Sequence, residues 1–168
     1  MKKTVAVIGS RGAIGNAVVD TLLVDESVEA VFKFSRAEIT EHDDKVIHIF
    51  IDIEDEESIK QATESLPEDT KFDLIFVATG ILHDEKNVFP EKSIKDISFD
   101  KLIKVLTINT IGPTLVGKYF IPYLRKDSKS TFAFLSARVG SISDNKLGGW
   151  YSYRASKTAL NQIIRNFS

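Results

Sequence analysis

The chain has 168 residues, 43% hydrophobic and 27% charged, with a formal net charge of −2. That length and apolar content suit one globular domain, residues 1–168, with a core of its own. The near-balanced charge gives no global attraction to nucleic acid or to an anionic membrane, and the lack of cysteine excludes a disulfide framework and thiolate chemistry.

The start, MKKTVAVIGSRGAIG, opens with basic residues and a short apolar run. That run, Val5 to Ile8, stops at glycine and is too short for export or for a membrane span. A cytoplasmic protein is the default. TVAVIG reads as a buried strand. After the glycines, Ile14, Ala17, Val18 and Leu22 recur at helical spacing and predict an amphipathic helix. AVFKFS and VIHIFIDI read as the second and third strands. Ile59, Ala62 and Leu66 mark one face of a second helix, stopped at Pro67. FDLIFVATG is a fourth strand ending in glycine, and a long helical region is predicted from about Ser98 to Leu124. STFAFLSA is a fifth strand, and the segment from Tyr151 is helical again. Strands alternating with helices, apolar on both faces, predict an α/β fold with a doubly wound parallel sheet. In such sheets ligands bind beyond the carboxyl ends of the strands, where the strand order reverses.

Gly9, Gly12 and Gly15 stand at GxxGxxG spacing between the first strand and the first helix. A dinucleotide's pyrophosphate needs a tight turn, close backbone approach and N–H donors at a helix start. This arrangement offers all three, although its spacing differs from GxGxxG. Ser35 and Arg36 end the second strand, where an acidic residue would hold an adenosine ribose. An arginine there can pair instead with a 2′-phosphate, and Arg11 can reach the same group. Two basic residues without a carboxylate favour NADP over NAD. Asp52 and Ile53 end the third strand and either flank the adenine or belong to an acidic cap on the next helix.

Tyr153 and Lys157 are four residues apart, so a helix projects them from one face. A nearby ammonium favours the phenolate, and such a pair can exchange a proton with an alcohol or carbonyl oxygen. Tyr151 is the competitor, but the residue one turn beyond it is Ala155. His83 follows the fourth strand and is placed to line a substrate pocket. No spacing among His42, His48 and His83 suggests a metal site.

GSRGAIG, Asp52–Ile53, ATG at 78–80, INTIG at 108–112 and YRASK at 153–157 occur in an order that resembles the short-chain dehydrogenase/reductase family over the whole chain. SARVGSISDNKLGGWYSYRASKTALN is similar to its C-factor-like, carbonyl-reductase-like branch. The resemblance implies a Rossmann-type doubly wound sheet, NADP or NAD, and an Asn–Ser–Tyr–Lys active site. It places Gly9, Ser10, Arg11, Gly12, Ile14 and Gly15 at the cofactor, with Ser35, Arg36, Asp52 and Ile53 around its adenosine. Ala78, Thr79 and Gly80 line the cleft, Ala78 standing where the family usually has asparagine.

By the same resemblance Tyr153 is the acid/base, and Lys157 lowers its pKa and binds the nicotinamide ribose. Asn109 holds a water linking Lys157 to solvent. Pro113 supports that last role, because it has no N–H to offer the Asn109 carbonyl. The family's substrate-polarising serine falls on Ala137. Ser136, one residue earlier, is the candidate in its place, with Ser141 and Ser143 as alternatives. The implied substrate is a small carbonyl or secondary alcohol, and the implied assembly is a homodimer or homotetramer through the long helices. A sugar-nucleotide epimerase and a non-catalytic cofactor-binding fragment are the competing readings. Family members usually continue for about a third of the domain again, so the sequence is expected to be a C-terminally truncated fragment of a longer active protein.

Overall fold

The computed structural model describes residues 2–37, 43–84 and 88–168. Its strands are β1 (Lys3–Ile8), β2 (Val28–Ser35), β3 (Val46–Phe50), β4 (Leu74–Val77) and β5 (Thr131–Phe134). The α-helices are α1 (Ala13–Leu23), α2 (Glu56–Glu64), α3 (Phe99–Leu106), α4 (Gly112–Phe120) and α5 (Tyr151–Phe167). The strands form one sheet in the order β3-β2-β1-β4-β5, and each neighbouring pair is parallel. β1 is therefore the turning point: the chain runs outward to β3, then returns to the other side of β1 as β4.

Successive side chains of a strand face opposite ways, and β1 shows the result. Val5 and Val7 join Val19, Val28 and Val31 in one buried cluster. Ala6 and Ile8 join Phe34, Ile59, Val116 and Phe120 in the other. Phe34 and Phe120 meet edge to face, with ring centroids 5.1 Å apart. Helices thus cover both faces of the sheet, as the doubly wound expectation requires.

Five predicted elements differ in detail, among them the fourth and fifth strands, which end at Val77 and Phe134 rather than Gly80 and Ala137. α1 has the expected period, and Val18 and Leu22 pack against the core as predicted, but the buried stripe is centred nearer Gly15 and Val19. Gly15 and Val19 are buried, while Ile14 is 50% exposed and Ala17 is exposed. The cause lies at Gly15, where any Cβ would collide with the Gly9 carbonyl oxygen. The helix approaches the sheet through that glycine, and the face predicted from Ile14 and Ala17 turns outward.

The third strand ends at Phe50, sooner than VIHIFIDI suggested, although the Ile51 N–H still donates to the Ser35 carbonyl at 3.1 Å. The long helical region is interrupted. Thr107–Ile111 forms a π turn between α3 and α4, closed by the Gly112 N–H donating to the Thr107 carbonyl. Pro113 cannot donate to the carbonyl four residues back, so the α-helical ladder cannot pass through it unchanged. The second helix is as expected: Ile59 and Ala62 are buried, Leu66 packs beside them, and Asp55 caps its start by accepting from the Glu57 N–H at 3.0 Å. Among the described residues no helix is long and apolar enough to cross a membrane.

Candidate functional site

The first half of the site is the turn after β1. Gly9 has φ +82°, a conformation open mainly to glycine. The N–H groups of Gly9 and Ser10 both donate to the Phe34 carbonyl, at 2.9 and 3.2 Å. The buried Ser10 hydroxyl donates to the same oxygen at 3.3 Å. These bonds bind the turn to the end of β2. Gly12 begins α1 without a side-chain cap, leaving the first N–H groups of that helix to other partners.

Beyond the turn lies a cleft of about 400 Å³, lined by Gly9, Arg11, Gly12, Ser35, Arg36, Ile53, Ala78, Thr79 and Gly80. The residues expected around an adenosine are brought together there, with four qualifications. Ser10 is buried beneath the turn, and neither Ile14 nor Gly15 lines the cleft. Asp52 turns toward the start of α2, accepting from the Glu54 N–H at 3.0 Å. Glu54, which no motif singled out, lines the cleft instead. Arg36 lies 3.7 Å from the Glu54 carboxylate and 4.0 Å from that of Asp52, and Glu54 is also held by Lys104 at 2.6 Å.

The second half gathers at the carboxyl ends of β4 and β5. Lys157, 2% exposed, donates to the Leu135 carbonyl at 3.0 Å. Its Nζ lies 5.9 Å from the centre of the Tyr153 ring. Burial pushes the Lys157 pKa down to about 8 and the Tyr153 phenol up. The two groups share a face, as their spacing predicts, yet the phenol has no lowered pKa in the free protein. Its desolvation outweighs an ammonium that is near but not hydrogen-bonded to it.

Asn109, fully buried in the π turn, grips Ile81 at both ends. Its Oδ1 accepts from the Ile81 N–H at 2.7 Å, and its Nδ2 donates to the Ile81 carbonyl at 2.8 Å. Nδ2 also donates to the Ser156 hydroxyl at 3.0 Å, which in turn donates to the Tyr153 carbonyl at 2.8 Å. The Thr110 hydroxyl donates to the Ser156 carbonyl at 2.8 Å. Ser156 thus stitches the π turn to the helix carrying Tyr153. Gly80 fills the gap between these elements, since a Cβ there would lie 3.2 Å from Lys157 Nζ and 3.3 Å from Asn109 Oδ1.

The serine candidates lie apart from this group. Ser136 donates to Asn161 Oδ1 at 2.6 Å, and Asn161 is eight residues beyond Tyr153 on α5, about 12 Å along the axis. The hydroxyls of Ser141 and Ser143 contact each other at 3.3 Å in the following loop. His83 is exposed after β4, and His48 is half-buried in β3, level with Lys33 of β2. His42 falls outside the described residues. Among the described residues no group of three or more potential ligands could hold a metal ion.

With this geometry in view, comparison with known proteins is decisive on one point. The family model for short chain dehydrogenases matches residues 3–168. The chain belongs to the short-chain dehydrogenase family. The C-signal protein of Myxococcus xanthus is 36% identical over 76 residues, 45% of this chain and 46% of its own length. The 1-hydroxy-2-glutathionyl-2-methyl-3-butene dehydrogenase of Rhodococcus sp. (strain AD45) is 30% identical over 118 residues, 70% of this chain and 48% of its own. The chain spans about half the length of these relatives. Among solved structures, a short-chain dehydrogenase/reductase from Burkholderia multivorans with bound NADP superposes with a TM-score of 0.85 at 25% identity. That match covers 99% of this chain and 72% of the other. An NADPH-bound carbonyl reductase from chicken fatty liver gives 0.83 at 27% identity, covering 98% and 69%.

A nicotinamide dinucleotide fits the residues that this short-chain dehydrogenase presents. The turn brings the backbone of Gly9 and Gly12 to the cleft, together with Arg11. Among the described residues the buried Thr79 hydroxyl has no hydrogen-bond partner, a costly condition that a polar group of a ligand in the cleft would relieve. Arg11 and Arg36 supply positive charge at the rim. The turn could hold a pyrophosphate, Ser35 and Arg36 an adenosine ribose, and Tyr153 and Lys157 the nicotinamide end.

Proposed function

We propose that the protein is an NADP-dependent oxidoreductase that interconverts a carbonyl compound and a secondary alcohol. The observation that carries this reading is the meeting of Tyr153, Lys157, Asn109 and Gly80 at the strand ends, beside a cleft rimmed by Arg11 and Arg36. The NADP- and NADPH-bound neighbours support the choice of cofactor.

When bound, the nicotinamide supplies or accepts hydride. Everything else falls to side chains of this chain. Burial keeps the Tyr153 phenol protonated, the form needed to deliver a proton to a carbonyl oxygen during reduction. Lys157, with a pKa of about 8, is mostly charged at neutral pH and stabilises the phenolate that remains. In the oxidative direction the same phenolate accepts the alcohol proton. Asn109 holds Ile81 in place, and its carbonyl, denied the Pro113 N–H, is the acceptor for a water leading from Lys157 to solvent. Ser136, next to the Leu135 carbonyl that holds Lys157, is the serine assigned to the substrate oxygen; the role requires its side chain to turn from Asn161 toward Tyr153. The exposed Phe99, Ile103 and Ile111 support assembly into a homodimer or homotetramer through the α3–α4 region.

The test is Tyr153→Phe in the intact, full-length enzyme, assayed with NADPH and a panel of small carbonyl compounds. Turnover should fall by about 10²–10⁴-fold while NADPH binding, measured by titration, stays within a few-fold of the parent. Activity that survives the substitution rules out Tyr153 as acid/base.

A further inference from the structure

We propose that Glu91 is a positioning residue for Tyr153, capping α5 from a distant segment and fixing the turn that presents the phenol. The inference rests on the assignment of Tyr153 to proton transfer.

The start of α5 is poorly provided for by its own sequence. The residue at its cap position is Trp150, which offers no side-chain acceptor and has φ 53° and ψ 43°. A serine, threonine or aspartate is the usual choice there, and a bulky aromatic in the left-handed region is strained. Gly148 and Gly149 precede it at φ +67° and +66°, so the chain enters the helix through successive left-handed residues. Something outside the helix must hold that path.

Glu91 does so at three points. Its backbone carbonyl accepts from the Trp150 N–H at 2.6 Å. Its Oε2 accepts from the Ser152 N–H at 3.3 Å, and its Oε1 accepts from the Ser152 hydroxyl. The residue is 3% exposed and Ser152 2%. Gly149 allows the approach, since a Cβ there would lie 3.2 Å from the Glu91 carbonyl oxygen. A carboxyl group this deeply buried is costly unless its oxygens are engaged. Here they take up a backbone N–H in the first helical turn, which has no partner within the helix, at the end where the helix dipole favours negative charge.

The position of Tyr153 makes the tether bear on chemistry. Tyr153 directly follows Ser152, and its ring meets the Trp150 ring edge to face, with centroids 6.3 Å apart. Holding Trp150 and Ser152 therefore sets both the backbone under the phenol and the aromatic wall beside it. The start of the same chain segment is gripped at Ile81 by Asn109. Asn109 thus fixes Ile81, and Glu91 fixes the first turn of α5, on either side of Tyr153.

The experiment compares the parent with Glu91→Ala, Glu91→Gln and Ser152→Ala. Trp150 is the sole tryptophan, so its fluorescence reports this turn directly, and amide hydrogen exchange reports the first turn of α5. In Glu91→Ala, Trp150 emission should shift toward that of an exposed indole. The Ser152 and Tyr153 amides should exchange at least about tenfold faster, with Gly9–Gly15 unchanged. Turnover (kcat) should fall at least about tenfold, as expected for a displaced catalytic group, while KM for NADPH is unaltered. Glu91→Gln keeps an acceptor for the Ser152 N–H and should restore most of both effects. If Glu91→Ala does not fold, Ser152→Ala carries the comparison with smaller changes of the same sign, and Glu91→Gln stays near the parent. Unchanged emission and exchange would overturn the proposal, as would faster exchange with undiminished kcat. An intact, full-length parent that turns over no carbonyl substrate would instead defeat the oxidoreductase reading, and emission and exchange would then decide the tether alone.

Discussion

At Lys157 burial lowers the pKa from 10.5 to about 8, and this fixes how folding depends on pH. Below about 8 both folded and unfolded chains carry the proton, and the folded state bears the full cost of burying it. Between 8 and 10.5 the unfolded chain holds more protons, so stability rises with pH through this window. Lys157→Met has no such proton. The parent should gain on this variant by up to about 3 kcal/mol across that interval, measured by urea unfolding at successive pH values. A stability difference independent of pH would show that the ammonium is not buried as charge. That Tyr153 and Lys157 share a helix face was legible from their spacing, while the roles expected of them came from the family resemblance. Ser156 and Glu91 were not legible. Ser156 meets Asn109 across 47 residues and Glu91 meets Ser152 across 61, and nothing local marks either pair.

Among the elements, the same division between local and distant causes explains what was read and what was missed. The period of α1 is local, and it was correct. Its phase was set by the collision that any side chain at Gly15 would have with the Gly9 carbonyl, a fact of three-dimensional approach. The break at Pro113 was legible from the missing N–H, whereas its resolution into a π turn depended on what lies behind it. Gly112 is the contact point: a Cβ there would lie 2.5 Å from the Ile53 carbonyl oxygen and 3.1 Å from Ile53 Cβ. Gly112→Ala should therefore push α4 and the residue lining the adenosine side of the cleft apart. Overpacking of this kind costs about 1–3 kcal/mol, so Tm should drop by roughly 2–10 °C, accompanied by weaker NADPH binding. A melting curve identical to the parent's would mean that the π turn can move without disturbing Ile53.

At the scale of the whole molecule, alternation of strands and helices gave the architecture, but the order β3-β2-β1-β4-β5 depends on pairing between distant segments. That order places the turns after β1, β2 and β4 around one cleft, and it brings positive charge to one place on a chain whose net charge is −2. Arg36 already has Glu54 and Asp52 nearby, yet exposed pairs at such distances are weak. A 2′-phosphate, able to accept two parallel bonds from one guanidinium, should displace them. The consequence is measurable on the entire fold, because a ligand that binds only the native state raises its melting temperature by mass action. At about one hundred times its Kd, NADPH should raise Tm by roughly 5–10 °C, and NADH at the same concentration by clearly less. Arg36→Ala should bring the two shifts together by reducing the NADPH response and leaving the NADH response almost intact. Equal shifts in the parent would remove Arg36 as the source of preference and with it the assignment to NADP.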